Sequence, residues 1–391
     1  MRTLKKTKVL IKMLCITIIV SLFSNIHILK ACDGEENQEL INYVQITDNA
    51  SKKFQSIKDT HKEWINSYLV LKRVIFDSNN EVNGFIFDVM SDNNNVGYVI
   101  ADYEDGNNII EFGKELFLDE ASETVEREYS INEDNQKVYY LGNLNYAIGG
   151  LNGNNKNVFV DVTTNKCEKI TKKEVKAIEN QSTLGSPPDS GNNFITDPSL
   201  YERGYSSYKA KDLTNFNIAY KVMTDFSDGS VCAPTAATNF MYYWYNKDKT
   251  KYEKMYYKKS WKETFKKIYK YMETNDTNGT LDANLVNGYS KFLKAVGIAC
   301  TVKFHNGTSN GKKIVTEINN NRPCHLALHN HYRYGDHSVL AVGYQKYTYE
   351  HWYGDNVEIY IRISDGWQRY PWRWVWGNCT GSWNYVSVSL N

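Results

Sequence analysis

The sequence predicts an α+β protein with two folded domains, and three observations support this fold class. Residues 32–180 hold a helical pattern followed by short apolar runs between Asn, Asp and Gly clusters, as in an antiparallel meander. Residues 181–203 lack periodicity and are rich in turn-forming residues. Residues 204–391 carry helical patterns first and strand patterns later, which predicts two packed halves.

Composition excludes several classes of function. The 391 residues have a formal net charge of +1, so charge does not indicate nucleic acid or an anionic membrane as a partner. Seven cysteines are too few for a disulfide scaffold in a chain of this length. The length itself allows two domains.

Residues 1–31 have the pattern of a secretory signal peptide, because a basic head precedes an apolar run. The uninterrupted apolar part after Lys12 has about a dozen residues, whereas a membrane span needs about twenty. We therefore expect a secreted, extracellular protein without a stable membrane span. A cell-surface lipoprotein is the alternative, because the residues before Cys32 faintly resemble a lipoprotein acceptor site.

Residues 32–180 are predicted to form a smaller β-rich α+β domain, a meander with an N-terminal helix. The helical pattern covers about 39–72 and overlaps the first strand pattern. The predicted strands cover 68–76, 85–90, 97–102, 108–112, 137–142 and 158–162. No charged cluster or nucleophile in this region indicates chemistry of its own. An ordinary binding domain would have the same pattern.

Residues 181–203 are predicted to be a linker. Pro187 and Pro188 lie next to each other among Ser, Gly and Asn residues, which favours an exposed, extended tether. Such a tether is the usual place for proteolytic cutting.

Four helices are predicted in residues 204–391. The first begins at Cys232, and the others cover 252–275, 281–296 and 312–319. Strand patterns cover 298–304 and then dominate, ending with 383–390. We expect the helices and the mostly antiparallel sheet to form two packed halves.

Cys232 is the first candidate for chemistry. Pro234 suits the first turn of a helix, since its missing N–H would have no partner there. Unpaired N–H groups and the helix dipole both favour a thiolate at a helix N-terminus. A cysteine so placed can have its pKa lowered well below about 8.5. A buried structural cysteine would occupy the same position without chemistry.

A nucleophilic cysteine needs a histidine base and a polar partner that orients the base. His337 begins an apolar strand pattern in Gly-Asp-His-Ser-Val, and Asp365 follows the next strand pattern in Asp-Gly-Trp. These three residues are therefore candidates for a catalytic triad. Asp336 is interpreted as a turn residue.

Four motifs in this order resemble papain-clan cysteine peptidases: Cys-Ala-Pro-Thr-Ala, Gly-Asp-His-Ser-Val, Val-Gly-Tyr and Asp-Gly-Trp. The nearest branch is the bacteriocin-leader-peptidase-like group, and streptopain is a more distant relative. The resemblance covers the chain from about Tyr220 onward. Gly-Tyr-Val-Ile-Ala-Asp at 97–102, followed by Ile-Ile-Glu-Phe, resembles the propeptides of streptopain-like proteases.

The resemblance implies a papain-like catalytic domain at 204–391 with a cleft between its two halves, preceded by a pro-domain that inhibits it within the same chain. It implies a zymogen that hydrolyses peptide or protein substrates through Cys232, His337 and Asp365. It also implies that Trp367 shields the hydrogen bond between histidine and orienter. No cofactor is implied.

One departure from the family concerns the oxyanion hole. The family usually has a glutamine a few residues before the cysteine, but none lies between Gln181 and Cys232. The backbone N–H of Cys232 is one candidate donor. Asp225 is a second candidate, and it could donate only as a neutral acid with a strongly raised pKa.

A histidine cluster raises the question of a metal site, since imidazoles suit zinc or copper. Strand alternation would place the first three of its members on one face. The cluster consists of His325, His329, His331 and His337. No carboxylate or cysteine has a familiar zinc spacing except Cys324, which would point to the other face. We therefore predict no metal.

The remaining cysteines of the second half, Cys300, Cys324 and Cys379, could form a disulfide, but their spacing does not give the pairing.

Three functions are consistent with the sequence. The first is a secreted cysteine endopeptidase made as a zymogen. The second is another Cys-His-Asp acyl transferase, such as a transglutaminase or a cell-wall amidase. The third is a non-catalytic secreted binding protein on a degenerate peptidase fold, for which the missing glutamine is the argument.

Overall fold

The computed structural model describes residues 36–60, 64–103, 109–114, 118–141, 145–163, 167–181, 194–195, 197–200, 202, 204–227, 229–275, 277–307, 311–331, 334–377 and 382–390. The predicted signal peptide at 1–31, Cys32 and Cys379 lie outside these residues. Within the described part, no helix is both long enough and apolar enough to cross a membrane.

The N-terminal sheet is built from two antiparallel meanders joined side by side. Its strand order is β4-β3-β2-β1-β5-β6-β7-β8, and the junction is a short parallel pairing of β1 with β5 at Ile75↔Val138 and Phe76↔Tyr139. The strands are β1 (Tyr68–Phe76), β2 (Val82–Ser91), β3 (Asn94–Asp102), β4 (Ile109–Gly113), β5 (Lys137–Tyr140), β6 (Tyr146–Leu151), β7 (Asn157–Asp161) and β8 (Glu168–Ile170).

Helices accompany this sheet, and helix α1 packs against β1 and β4. Their bounds are α1 (Glu36–Thr60), α2 (Leu118–Tyr129) and α3 (Lys172–Gln181). The predicted N-terminal helix and meander are confirmed as elements, and the strand 68–76 has the predicted bounds. The helix was predicted too long, because the alternating apolar pattern from Tyr68 onward belongs to β1 and not to the helix.

The C-terminal sheet has the order β11-β16-β12-β13-β14-β15-β9, and β10 pairs with the second half of β13. The long strand β13 pairs with β12 along its first half and with β14 along most of its length. The strands are β9 (Phe194–Ile195), β10 (Ser207–Asp212), β11 (Cys300–His305), β12 (Cys324–His331), β13 (Gly335–Tyr349), β14 (Asn356–Ser364), β15 (Arg373–Trp376) and β16 (Ser382–Leu390).

The helices of this domain precede most of its strands, as predicted, and the mixed α+β class is confirmed. Helix α4 is almost entirely buried and packs against β12 and β13. The helices are α4 (Cys232–Lys247), α5 (Trp261–Tyr271), α6 (Asp282–Ala295) and α7 (Lys312–Asn319). Helix α6 ends before Gly297, which has a positive φ of 71° and stops the helix as predicted.

The single helix predicted for 252–275 is wrong. Two 3₁₀ turns, Glu253–Met255 and Tyr257–Lys259, come first, and α5 begins only after Ser260. The Ser260 side chain accepts a hydrogen bond from the Glu263 N–H, which is a standard helix N-cap. Lys258 and Lys259 have positive φ, so the backbone turns sharply before the cap.

The predicted linker at 181–203 is described only in part. Helix α3 includes residue 181, whereas 182–193 lie outside the described residues. Phe194 and Ile195 form β9, which pairs with β15. The final part of the predicted linker is therefore attached to the C-terminal sheet.

Trp372 connects the two domains. It belongs to a hydrophobic cluster whose other buried members all lie between residues 50 and 112. Its ring stacks on Trp64 at 5.6 Å with an interplanar angle of 2°, and it meets Phe112 edge-on at 6.3 Å. Beside it, the Lys114 ammonium lies 4.7 Å from the Tyr370 ring centroid. The segment before β15 thus inserts an aromatic side chain into the N-terminal domain.

Trp372→Ala should weaken the docking of the two domains, because it removes a buried aromatic side chain from a packed cluster. We expect a loss of about 3–5 kcal/mol in the free energy of unfolding, measured by urea denaturation of the full chain. Trp352→Ala is the matched control, since Trp352 is 96% exposed. Equal effects of the two substitutions would contradict the anchoring role of Trp372.

Candidate active site

Cys232 is the first residue of α4, and its side chain is half-buried at the start of this helix. Burial raises the pKa of the Cys232 thiol. The hydrogen bond and charge of His337, together with backbone hydrogen bonds at Ser338 and Ala233, lower the pKa by more than burial raises it. The net effect is a lowered pKa. The predicted helix start and the predicted electrostatics of this cysteine therefore agree with the structure.

His337 lies near the start of β13 and is buried. Its Nε2 lies 2.7 Å from the backbone carbonyl oxygen of Asp365. A carbonyl only accepts, so Nε2 carries the hydrogen and Nδ1 is left for the Cys232 thiol. Burial lowers the pKa of His337, but the Cys232 side chain and the Asp365 carbonyl and charge raise it more, and the net direction is upward.

The two pKa shifts have one common cause. A lowered thiol pKa and a raised imidazole pKa are what a thiolate–imidazolium pair produces, because each charge stabilises the other. This pair supplies a nucleophile and a proton donor at the same place.

Two aromatic rings enclose His337. Tyr334 stacks on the imidazole at 5.4 Å with an interplanar angle of 6°, and Trp367 lies at 5.0 Å and 41°. The two rings also contact each other at 4.9 Å. Trp367 thus lies against the imidazole that bonds the Asp365 carbonyl, where the sequence predicted a shielding aromatic. Tyr334 is a second such residue that sequence reasoning missed.

The sequence predicted a hydrogen bond between the Asp365 side chain and His337. In the structure, the histidine bonds the main-chain carbonyl of Asp365 instead. The buried carboxylate accepts hydrogen bonds from the N–H groups of Trp367 at 3.0 Å and Gln368 at 3.1 Å. Its other oxygen lies 2.5 Å from Nη1 of Arg373. Burial raises the pKa of Asp365, but Arg373 and the two N–H groups outweigh burial and lower it.

Arg373 is the second functional candidate that the sequence did not single out. It is 2% exposed and begins β15 between Trp372 and Trp374. A charged residue flanked by tryptophans in a strand pattern signals a buried, paired cation, and that pattern could have marked it.

Asp225 forms a two-pronged ion pair with Arg369, with N···O distances of 3.0 and 3.1 Å. It also accepts a hydrogen bond from the Val222 N–H. Both oxygens of the Asp225 carboxylate accept from the Arg369 guanidinium, whereas the oxyanion role requires a donor. The structure therefore gives that role of Asp225 no support, and the backbone N–H of Cys232 remains the candidate donor.

The histidine cluster is divided among separate contacts. His325 meets the Tyr289 hydroxyl at 3.1 Å, and burial lowers its pKa to about 4. His329 pairs with Asp282 at 2.9 Å, and His331 accepts from the Tyr334 N–H. A register shift in β12 between Leu328 and His331 breaks the simple alternation. Among the described residues, no three His, Cys, Asp or Glu side chains are grouped to hold a metal ion.

The cysteines of the C-terminal sheet are not joined within the described residues. Cys300 and Cys324 are free thiols on β11 and β12, and burial raises the pKa of each. Cys379 lies outside the described residues.

Cys232 should be alkylated before the other described cysteines when iodoacetamide is limiting, because its thiol pKa is lowered while those of Cys167, Cys300 and Cys324 are raised. Peptide mass spectrometry at pH 6 to 8 measures this preference. Cys300 is the internal control, since it is also half-buried. Preferential labelling of Cys300 or Cys379 would contradict the assignment.

Residues 215–387 match the model of the Peptidase_C39 like family. The match contains Cys232, His337 and Asp365, and it leaves the N-terminal sheet outside. No curated protein matches the chain. The family match supports the identification of residues 215–387 as a papain-clan cysteine peptidase domain.

Proposed function

We propose that the protein is a secreted cysteine endopeptidase, made as a zymogen, that hydrolyses peptide bonds through a thioester acyl-enzyme. One observation carries the proposal. The Cys232 thiol at the start of α4 bonds the His337 imidazole, and the far nitrogen of that imidazole is fixed on the Asp365 carbonyl.

In the first half of the reaction, the Cys232 thiolate attacks the carbonyl carbon of the scissile peptide bond. The new S–C bond places negative charge on the carbonyl oxygen, where the Cys232 N–H at the helix start can stabilise it. The His337 imidazolium gives its proton to the leaving amine as the C–N bond breaks. The products of this half are a free amine and a thioester on Cys232.

In the second half, neutral His337 takes a proton from water, and the hydroxide oxygen attacks the thioester carbon. The C–S bond breaks, a carboxylic acid leaves, and the proton held by His337 restores the starting pair. Both steps need one imidazole orientation, which the Asp365 carbonyl fixes by accepting from Nε2.

Cys232→Ala and His337→Ala should each lower kcat/KM by about 10⁴-fold or more, and the double variant should be little worse, because the members of a triad act as a unit. Asp365→Asn should cost less than either, since it leaves both the nucleophile and its base in the chain. The measurement is hydrolysis of a peptide mixture.

Full activity of His337→Ala would overturn the mechanism. Product analysis with amine donors and with peptidoglycan as substrates separates hydrolysis of peptides from transamidation and from amidase activity. Absence of turnover on all three, with Cys232 still reactive, would favour the binding protein.

The position of the N-terminal domain supports its proposed role as an intramolecular inhibitor. Trp372, which packs into the N-terminal domain, is on the segment that follows Asp365. A groove beside α2 is lined by Glu120 and Arg127 of that helix and by Thr224 and Asp225, which precede Cys232. The domain thus lies beside the segment that precedes Cys232 and contacts the segment that follows Asp365. The basic and apolar pattern at 1–31 is the support for secretion.

The wild-type chain should mature by a cut between residues 182 and 193, because Phe194 and Ile195 are already hydrogen-bonded to β15. The mature fragment should be more active per molecule than the precursor. Mass and N-terminal sequence of the protein from culture medium give the cut, and peptide hydrolysis before and after maturation gives the activity.

Cys232→Ala is the control for the origin of the cut and should remain full length if the enzyme processes itself. Equal activity of precursor and fragment would show that the N-terminal domain is not an inhibitor.

A further inference from the structure

Arg373 is a buried cation at the boundary between the two domains. Its guanidinium bonds the Asp365 carboxylate at 2.5 Å, and both side chains are nearly inaccessible to solvent. It also lies over the Trp367 ring, 5.9 Å from the centroid. The neighbouring residue Trp372 is buried in the N-terminal domain. The position of Arg373 therefore depends on both domains.

Glu111 of the N-terminal domain interacts with this cation through its charge. It is fully buried on β4, and its two carboxyl oxygens accept from the hydroxyls of Tyr98 and Tyr146, each at 2.5 Å. Burial raises the pKa of Glu111 to about 7, while the tyrosine hydroxyls and the charge of Arg373 oppose the rise. Glu111 therefore changes charge near neutral pH.

The charged and titratable groups around this contact come from both domains. On the N-terminal side they are Tyr98 on β3, Tyr140 on β5 and Tyr146 on β6. On the catalytic side they are Arg373 and, through it, Asp365 and Tyr334.

We propose that Arg373 is a positioning residue for His337 and that the N-terminal domain acts on the active site through Glu111 and Arg373. The inference rests on the proposed cysteine peptidase function and names a control of the same site. It concerns two contacts, Arg373 with Asp365 and Asp365 with the His337 imidazole, and the charge of Glu111 that acts on Arg373.

The positioning step follows from the geometry of Asp365. Arg373 holds one carboxylate oxygen, and the N–H groups of Trp367 and Gln368 hold the other. These bonds fix the residue whose main-chain carbonyl lies 2.7 Å from His337 Nε2. Without Arg373, a buried carboxylate would lose its charged partner, and the loop would have to move to hydrate or protonate it. The carbonyl would then no longer fix the imidazole.

The coupling step follows from charge. Above pH 7, ionised Glu111 attracts the guanidinium and weakens its hold on Asp365. Below pH 6, neutral Glu111 leaves the guanidinium to Asp365. The docked N-terminal domain therefore loosens the orientation of His337 at higher pH, and this effect ends when the domain departs.

The rate of Cys232 alkylation by iodoacetamide against pH tests the positioning step on the full chain, because it reports the thiolate–imidazolium pair without any substrate. Arg373→Met should lower the rate at pH 7 about tenfold, which is one pKa unit in the thiol, and should approach wild type above pH 9. Arg373→Lys should recover part of the rate, since it keeps the charge. Arg322→Met, which removes a distant ion pair with Glu317, should match wild type.

Asp365→Asn combined with Arg373→Met guards against misfolding, because it leaves no unpaired buried charge. This double variant should fold and keep the lowered rate of Cys232 alkylation at pH 7, since no ion pair then fixes the main-chain carbonyl of residue 365. A wild-type pH profile in Arg373→Met or in the folded double variant would overturn the positioning role.

Glu111→Gln tests the coupling, since the amide keeps a hydrogen-bonding group of the same shape without the charge. Its Cys232 alkylation rate should equal wild type below pH 6 and exceed it by about two- to threefold near pH 7.5, before the thiol is fully ionised, which is a change of a few tenths in the thiol pKa. Glu120→Gln is the matched control, because Glu120 is an exposed carboxylate of the same domain.

Superimposable profiles of Glu111→Gln and wild type would overturn the coupling, and so would an equal change in Glu120→Gln. A chain that hydrolyses no peptide but shows the expected alkylation profiles would refute the proposed function and leave this inference standing.

Discussion

The buried ion pair between Asp365 and Arg373 is the constraint on which the arrangement of the site depends. Two charges at 2–3% side-chain exposure are tolerated only when they are paired and the remaining hydrogen-bonding positions are filled. Here the N–H groups of Trp367 and Gln368 fill them. The turn after β14 consequently has one conformation, and that conformation sets where its carbonyl and its aromatic side chains lie.

The same turn serves both domains. One of its tryptophans, Trp367, lies against the imidazole of His337, and another, Trp372, stacks on Trp64 of the N-terminal domain. Because only four residues lie between them, a movement that releases one ring is transmitted to a segment that holds the other. The domain interface and the candidate active site are therefore built on the same segment of chain.

The sequence predicted those parts of the site that depend on local pattern. Cys232 at a helix start, His337 at a strand start and Asp365 after a strand could be placed because helix and strand periodicities are local. The pairing of Asp365 with Arg373 and the approach of Glu111 could not be predicted, since they depend on how strands distant in sequence are brought together. The atom that orients His337 was misjudged for the same reason.

The errors in the predicted fold also have local physical causes. The helix predicted for 252–275 has the apolar spacing of a helix, but the sharp backbone turn at Lys258 and Lys259 and the cap at Ser260 separate its first part. Three of the four histidines share a predicted strand face, but a register shift and separate partners distribute them. The parallel pairing of β1 with β5 left no signal in the pattern of apolar runs.

The position of β16 has a consequence for the order in which the chain can fold. This strand lies inside the C-terminal sheet, between β11 and β12, and β12 in turn supports the part of β13 that carries His337. A ribosome makes β16 after every other described strand, so the C-terminal sheet cannot close until residue 390 has emerged. The N-terminal sheet uses only residues up to 170 and can form first. Nascent chains would then carry the finished N-terminal sheet before Cys232, His337 and Asp365 come together, and the C-terminal sheet would first assemble in contact with it.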